Sequence, residues 1–228
     1  MVDHTVKAFD DDIVRLRGLI AQMGGLAEQA IIQSMEALKR HDLAAADEVI
    51  AGDQRIDAIE HEVERLAVEL IALRAPLADD LREVVAALKI ASVVERIGDY
   101  AKNIARRVAA VDDHSDIEPL SVLPAMADLA CRMVHDVLDA FAARDAEAAI
   151  RVTETDRAVD DFYNSLFRTL VTYMMENPAS IGQATHLLFI AKNLERVGDH
   201  ATNVAEMVYF AATGVHMGER ERGARAII

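Results

Sequence analysis

Eight carboxylates fall into four pairs in which the second acid follows the first by four residues: Asp53 with Asp57, Glu95 with Asp99, Asp156 with Asp160, and Glu195 with Asp199. On an α-helix that spacing stacks both side chains on one face, a turn apart. Like charges so placed oppose helix formation by ~0.2–0.5 kcal/mol per pair, so the pairs ask for a compensating positive charge. A divalent cation would supply it. Two antiparallel helices presenting such pairs to each other bring four carboxylates together, an all-oxygen cage suited to magnesium, calcium, manganese, iron or zinc. Asn103 and Asn203, four residues beyond Asp99 and Asp199, continue the stripe with a further oxygen ligand or an outer hydrogen-bond donor, and Arg96 and Arg196 are candidate outer partners of the acids. Gly98 and Gly198 lie between the acids, where alanine would favour the helix; they point to close backbone approach or to room for a bound species. The competing reading is a solvated helix face. In a chain with 39 acidic residues, about half a dozen such pairs arise by accident, and an Arg beside a Glu is ordinarily a surface ion pair of little consequence.

Duplication separates the two readings. Residues 88–108 read LKIASVVERIGDYAKNIARRV and residues 188–208 read LFIAKNLERVGDHATNVAEMV. Roughly half of the positions are identical, and several others exchange one aliphatic for another, as a doubled ancestral unit would. A weaker echo lies upstream, where Asp53-Gln-Arg-Ile-Asp57 corresponds to Asp156-Arg-Ala-Val-Asp160 and Pro76 to Pro178. Both halves therefore carry one Asp-x-x-x-Asp segment and one Glu-Arg-x-Gly-Asp segment, separated by a Pro break.

The elements that must position these groups are helices. Apolar residues recur with the 3.6-residue period almost throughout, and the interruptions predict six long helices over about residues 9–40, 42–73, 77–111, 121–143, 145–175 and 180–213. In the first, Ile13, Leu16, Ile20, Met23, Ala27, Ala30, Ile31 and Met35 form the apolar stripe, with Gly24 and Gly25 weakening its middle. Pro76 cannot continue a helix and pushes Ala75 away from helical angles. The Asp-rich, non-periodic stretch near residues 112–119 marks the boundary, so the expected organisation is one three-helix bundle over 1–115, a second over 116–213 and a flexible tail over 214–228. The fold class is all-α.

Composition narrows the function. A net charge of -15 disfavours nucleic acid and anionic lipid, both of which need a basic face. The single Cys131 cannot form an internal disulfide and sits among Ala130, Met133 and Val134 as a small core residue. No leader opens the chain and no apolar run reaches the roughly 18 residues of a membrane span, so a cytoplasmic location without direct membrane insertion is expected. The eight histidines complete no Glu-x-x-His or His-x-x-x-His pair, against the carboxylate-and-histidine di-iron bundles. His200 is expected at the surface, and the nine methionines as core filling. There is no Gly-rich phosphate loop, no Gly-x-Ser-x-Gly elbow and no evident partner for the cysteine, and nothing in the chain points to an enzyme.

The duplicated Glu-Arg-x-Gly-Asp segments, the Asp pairs and Pro breaks before them, Met23-Gly24, and Pro76-Leu-Ala-Asp-Asp80-Leu-Arg82 together resemble the PhoU family over about residues 9–213. The second half departs at the Asp80-to-Arg82 position, where residues 180–185 offer neither acid nor Arg. The resemblance implies two similar three-helix bundles, a homodimer, and multinuclear metal clusters on the paired acids, with Asp53, Asp57, Glu95 and Asp99 as one site and Asp156, Asp160, Glu195 and Asp199 as the other. It implies negative regulation of phosphate homeostasis. The chain would dampen high-affinity phosphate uptake and phosphate-starvation signalling through contacts with the ATPase subunit of the phosphate ABC transporter and with the phosphate-sensing histidine kinase, at the inner face of the cell membrane. A metal-dependent hydrolase of phosphate compounds and a metal-free helical adaptor are the alternatives.

Overall fold

The computed structural model describes residues 2–111 and 122–218, with side chains from Phe9 onward. Seven α-helical segments follow one another: α1 (Val2–Arg40), α2 (Leu43–Gly52), α3 (Gln54–Arg74), α4 (Asp79–Ala105), α5 (Leu123–Ala143), α6 (Ala146–Glu176) and α7 (Ile181–Thr213). The predicted second helix is α2 and α3 together, interrupted at Asp53. That residue keeps right-handed helical angles, and its carbonyl accepts from both Ile56 N–H at 2.9 Å and Asp57 N–H at 3.2 Å, so the ladder tightens there without redirecting the chain. The predicted third helix ends earlier, at Ala105, and continues as a short 3₁₀ turn, Val108–Ala110. The expected boundary at residues 112–119 and most of the expected tail lie outside the described residues.

The two halves turn their first corner the same way. His41 and Arg144 adopt left-handed angles, with φ of 48° and 54°. In each corner the next residue, Asp42 or Asp145, donates its N–H back across the helix end, to Ala37 O and Ala140 O at 2.9 Å. This is the closed helix C-terminus that ends in a left-handed residue. The same aspartates then cap the following helix, accepting from Ala45 N–H and Ala148 N–H, which satisfies donors the helix start leaves open. Pro76 acts as expected, with Ala75 in the left-handed region at φ 45° after its N–H bonds to Ile71 O.

Helices α3, α4, α7 and α6 lie side by side, and α1 and α5 cover one face of the row, touching each other and the two central helices. The expected α1 stripe is buried there, apart from the partly covered Ala30. Cys131 packs in the same core, and burial pushes its thiol up to about 12. Along the central α4–α7 contact the partners run in opposite order. Arg82 packs against Gly214, Tyr100 against His200, and Arg107 against His186 and Phe189, so the helices are antiparallel over their full length. Gly214 is required at its site: φ is +75°, and a Cβ would come within 3.2 Å of the Arg82 guanidinium. The second half has no counterpart of this contact, since Gly182 stands where the repeat places Arg82.

A buried carboxylate ties the bundles together. Glu83 of α4, 3% exposed, accepts from Arg17 Nε of α1 at 2.5 Å and lies 3.3 Å from Arg144 Nη1 at the α5–α6 corner. Removing it strands two guanidinium groups, so Glu83→Ala is expected to cost about 3 kcal/mol in chemical denaturation. The paired glycines of α1 separate equally clearly. A Cβ at Gly25 would meet nothing within 4 Å, whereas one at Gly24 would lie 2.1 Å from Leu138 Cδ1 of α5. Gly25→Ala should therefore gain about 0.5–1 kcal/mol of helix stability, while Gly24→Ala should lose about 1 kcal/mol net as Leu138 is displaced. Equal shifts in melting temperature for the two variants would contradict this.

Candidate functional site

The buried residues of α4, among them Ile90, Val94, Ile97, Ala101 and Ile104, define its covered side. By the helical period Glu95, Asp99 and Lys102 fall on the uncovered side of the same helix, with Gly98 directed at α3. There a Cβ on Gly98 would come within 2.7 Å of Ile56 Cδ1 and 3.4 Å of Asp53 Oδ1. In the second half a Cβ on Gly198 would come within 3.1 Å of Asp156 Oδ1 and 3.4 Å of Val159 Cγ1. Both glycines are thus points of closest helix approach, and each brings the buried first aspartate of its half against the Glu-Arg-x-Gly-Asp helix.

In the first cluster Asp53, Asp57, Glu95 and Asp99 lie near enough to influence one another, and Glu60, one turn on from Asp57, joins them. Burial first, then the charges of Asp99, Glu60, Asp57 and Asp53, push the Glu95 carboxyl up to about 7. The positive charge in this group is built in. The Lys102 ammonium donates to Asp53 Oδ2 and, at 3.1 Å, to Asp99 Oδ1, and these hydrogen bonds raise the Lys102 pKa above its usual value.

In the second cluster Asp160, Asp199 and Glu195 act on one another in the same way, and burial is the largest cause of a raised Glu195 carboxyl. Here the lysine stands at the other end. Lys192 donates to Glu195 Oε1 at 2.6 Å, lies 2.5 Å from its Oε2, and sits 5.1 Å above the Tyr163 ring. Tyr163 occupies the place of Glu60, Lys192 that of Ser92, and Thr202 that of Lys102. Thr202 is 8% exposed and its hydroxyl has no hydrogen-bond partner.

Between the clusters the repeat meets itself. Tyr100 and His200, equivalent in the two halves, stack at 5.3 Å between ring centres, and the Tyr100 hydroxyl lies 2.9 Å from His200 Nε2. A residue touches its own equivalent only beside a twofold axis, so a pseudo-twofold passes here. Because α1 and α5 cover the same face, that axis is perpendicular to the helix row, and both clusters open on the opposite face. His200 is a seam residue and not the surface residue expected. Burial first, and then the charge of Arg96, lower its pKa, with Arg196 acting in the same sense and Asp199 against it. Arg96 and Arg196 thus belong to the seam: Arg196 lies 5.9 Å over the Tyr100 ring. Asn103 accepts from Arg106 at 3.3 Å, and Asn203 is exposed.

Among the described residues no three His, Cys, Asp or Glu side chains are placed to hold a metal ion. The first cluster fits one poorly, because an ammonium already stands between two of its would-be ligands. The second keeps the carboxylates Asp160, Glu195 and Asp199 near one another, but a lysine is bound to Glu195 there as well. Lys102, Thr202, Lys192 and Glu60 stand at positions where the two halves differ, so identity between the halves does not point to them. The exchanges between the halves carried the signal.

The PhoU domain model matches the chain twice, over residues 20–108 and 123–208. A phosphate-specific transport system accessory protein PhoU homolog of Zymomonas mobilis is 55% identical over 222 residues, 97% of this chain and 94% of that protein. The corresponding homolog of Rhizobium meliloti is 46% identical over 96% of this chain and 93% of its own length. The crystal structure of PhoU from Pseudomonas aeruginosa superposes with a TM-score of 0.86 at 34% identity, covering 91% of this chain and all of that one. The phosphate transport system regulatory protein PhoU from Streptococcus pneumoniae gives the same TM-score at 28% identity, over 92% of this chain and 99% of that one.

The raised Glu95 carboxyl has a measurable consequence. Its pKa moves from 4.5 in the unfolded chain to about 7 in the folded one, so ionising Glu95 opposes folding. The penalty is absent below the unfolded pKa, grows as pH rises through that window, and is complete above the folded pKa. Glu95→Gln should raise the melting temperature at pH 8, and the gain should vanish by about pH 4. An equal gain at both values would show that charge is not the cause.

Proposed function

The chain belongs to the PhoU family, and on that premise we propose that it is a regulator of phosphate homeostasis that restrains high-affinity phosphate uptake and the phosphate-starvation response. The observation that carries this reading is the identity of 55% with a phosphate-transport accessory homolog along nearly the whole of both chains. The relatives are named as accessory or regulatory proteins, which favours action by contact over catalysis.

The expected contacts are the ATPase subunit of the phosphate ABC transporter and the phosphate-sensing histidine kinase, reached from the cytoplasm at the inner face of the membrane. Among the described residues no helix is long and apolar enough to cross a membrane, which suits peripheral association through partners. Two features support contact. The acidic clusters form a negative face that would attract basic patches. The hairpin tips expose large apolar residues, with Leu73 at the end of α3, Leu77 just beyond it and Met175 at the end of α6 each nearly four-fifths exposed. The tips lie at opposite ends of the molecule because α4 and α7 are antiparallel. A homodimer and a bound divalent cation are part of the same reading.

Immobilised protein should retain the transporter ATPase from a membrane extract. Replacing Asp57, Glu60, Glu195 and Asp199 by their amides should weaken that retention at least about 10-fold through the lost charge complementarity. A strain lacking the gene should keep importing phosphate when phosphate is plentiful. Uptake shut off normally in that strain would remove the regulatory reading, and undiminished retention by the amide variant would remove the acidic face as its means.

A further inference from the structure

Tyr100 and Arg107 touch α7, and the helical period puts Lys89 and Arg96 on the same flank of α4, within about 20° of Arg107 around the axis. With Val93 and Asn103 they form a stripe in which steps of four and three residues alternate, the spacing of a continuous contact between two helices. The stripe facing it on α7 consists of Phe189, Asn193, Arg196, His200, Asn203 and Met207. Neither stripe holds a carboxylate. Together they hold four permanent cations, in a chain with 39 acidic residues against 24 lysines and arginines. Lys89, Arg96, Arg196 and Phe189 are exposed, so the seam opens on the side that α1 and α5 leave uncovered.

The cations of this face fall into two kinds. Lys102 and Lys192 lie inside the clusters and are engaged with Asp53, Asp99 and Glu195. The seam cations are engaged with rings instead: Arg196 lies 5.9 Å over Tyr100, and Arg107 lies 4.2 Å over Phe189 with its Nη1 3.1 Å from His186 Nδ1. Among the described residues neither of these two, nor Arg96 or Lys89, forms an ion pair with a carboxylate. Four charges in line are thus left to something outside the chain.

We propose that the seam is the docking groove for an α-helix of a partner protein, with an acidic ridge turned to the seam and basic residues on both flanks. Charge complementarity supplies both parts. Packed helices lie about 8–10 Å apart, so each acidic cluster, one helix over, sits about that far to the side of the seam. A docked helix is about 10–12 Å across with its side chains; its ridge carboxylates meet the arginines while flanking lysines reach the clusters. The stripe from Lys89 to Arg107 runs about 27 Å, five turns of such a helix. Tyr100 and Phe189 set apolar surface between the cations, which suits a polypeptide carrying aliphatic side chains beside its acids and gives a phosphate polymer nothing to hold. For its flanks the inference rests on the contact reading of the acidic face; the ridge goes beyond that reading.

A labelled helical peptide of about 18 residues, with glutamates and leucines along one ridge and equal numbers of lysines on the flanks, tests this by fluorescence anisotropy. A control peptide of identical composition exchanges the glutamates with the lysines. The wild-type chain should bind the first peptide at least about 10-fold more tightly than the control, and less tightly as salt is raised. Arg96→Glu with Arg196→Glu should weaken that binding about 10-fold or more at an unchanged melting temperature, since both side chains are exposed. Binding that falls in the amide variant of the clusters but not in this arginine variant would overturn the seam and leave the acidic face standing as a contact surface. Equal binding of the two peptides, no binding at millimolar peptide, or tighter binding of inorganic polyphosphate than of the acidic-ridge peptide would each overturn the inference as well.

Discussion

The antiparallel contact of α4 with α7 is the constraint from which the rest of the molecule follows. It is fixed at three places: Arg82 on Gly214 at one end, Tyr100 on His200 at the centre, and Arg107 on His186 and Phe189 at the other end. Each bundle has its Glu-Arg-x-Gly-Asp helix at this contact and its Asp-x-x-x-Asp helix outside it. Once the central pair is antiparallel about an axis normal to the row, the outer helices fall on opposite flanks. The clusters must then open on one face, with the aromatic seam between them. A parallel pairing of the same helices would keep each bundle intact but destroy this common face.

Electrostatics within each cluster is settled locally. The four carboxylates around Glu95 oppose its ionisation, and Lys102 relieves the Asp53–Asp99 end while the Glu95 carboxyl stays shifted upward. The second cluster makes the opposite choice, relieving Glu195 with Lys192. The lysine that serves each cluster thus stands at a different place along the groove, while the acids stay in place. The seam adds the guanidinium groups of Arg96 and Arg196, whose charges act on His200. A protein with a net charge of -15 therefore presents alternating acidic, basic and acidic strips across its open face.

Helix number, order and most ends follow from periodicity and breakers, because amphipathic stripes such as Ile13, Leu16, Ile20 and Met23 leave one choice of buried face. Pro76, Asp42 and Asp145 mark their corners through local chemistry alone. The grouping of acids was also readable, since four-residue spacing fixes a face and duplication points to neighbours. What could not be read was the direction of residues between the stripes. Tyr100, His200 and the two arginines lie about half a turn from Gly98 and Gly198, and only the pairing of α4 with α7 turns that side from solvent into seam. The break at Asp53 was equally hidden, because the backbone there keeps helical angles and Asp156 sits in an unbroken helix.

The glycines decide how the acidic clusters relate to folding. Gly98 and Gly198 let a neighbouring helix approach until Asp53 and Asp156 lie against the backbone, and the flanking Ile56 and Val159 seal that contact with apolar surface. This packing brings the helices close and so sets the spacing of the carboxylates. Burial of the aliphatic core offsets the cost of gathering like charges, since each buried Ile, Leu or Val contributes about 1.5–3 kcal/mol against a few tenths for each stacked acid pair. The acidic grooves are consequently preformed. What maintains the fold is thus the apolar packing at these glycines, and the charged groups are what the fold displays on its open face.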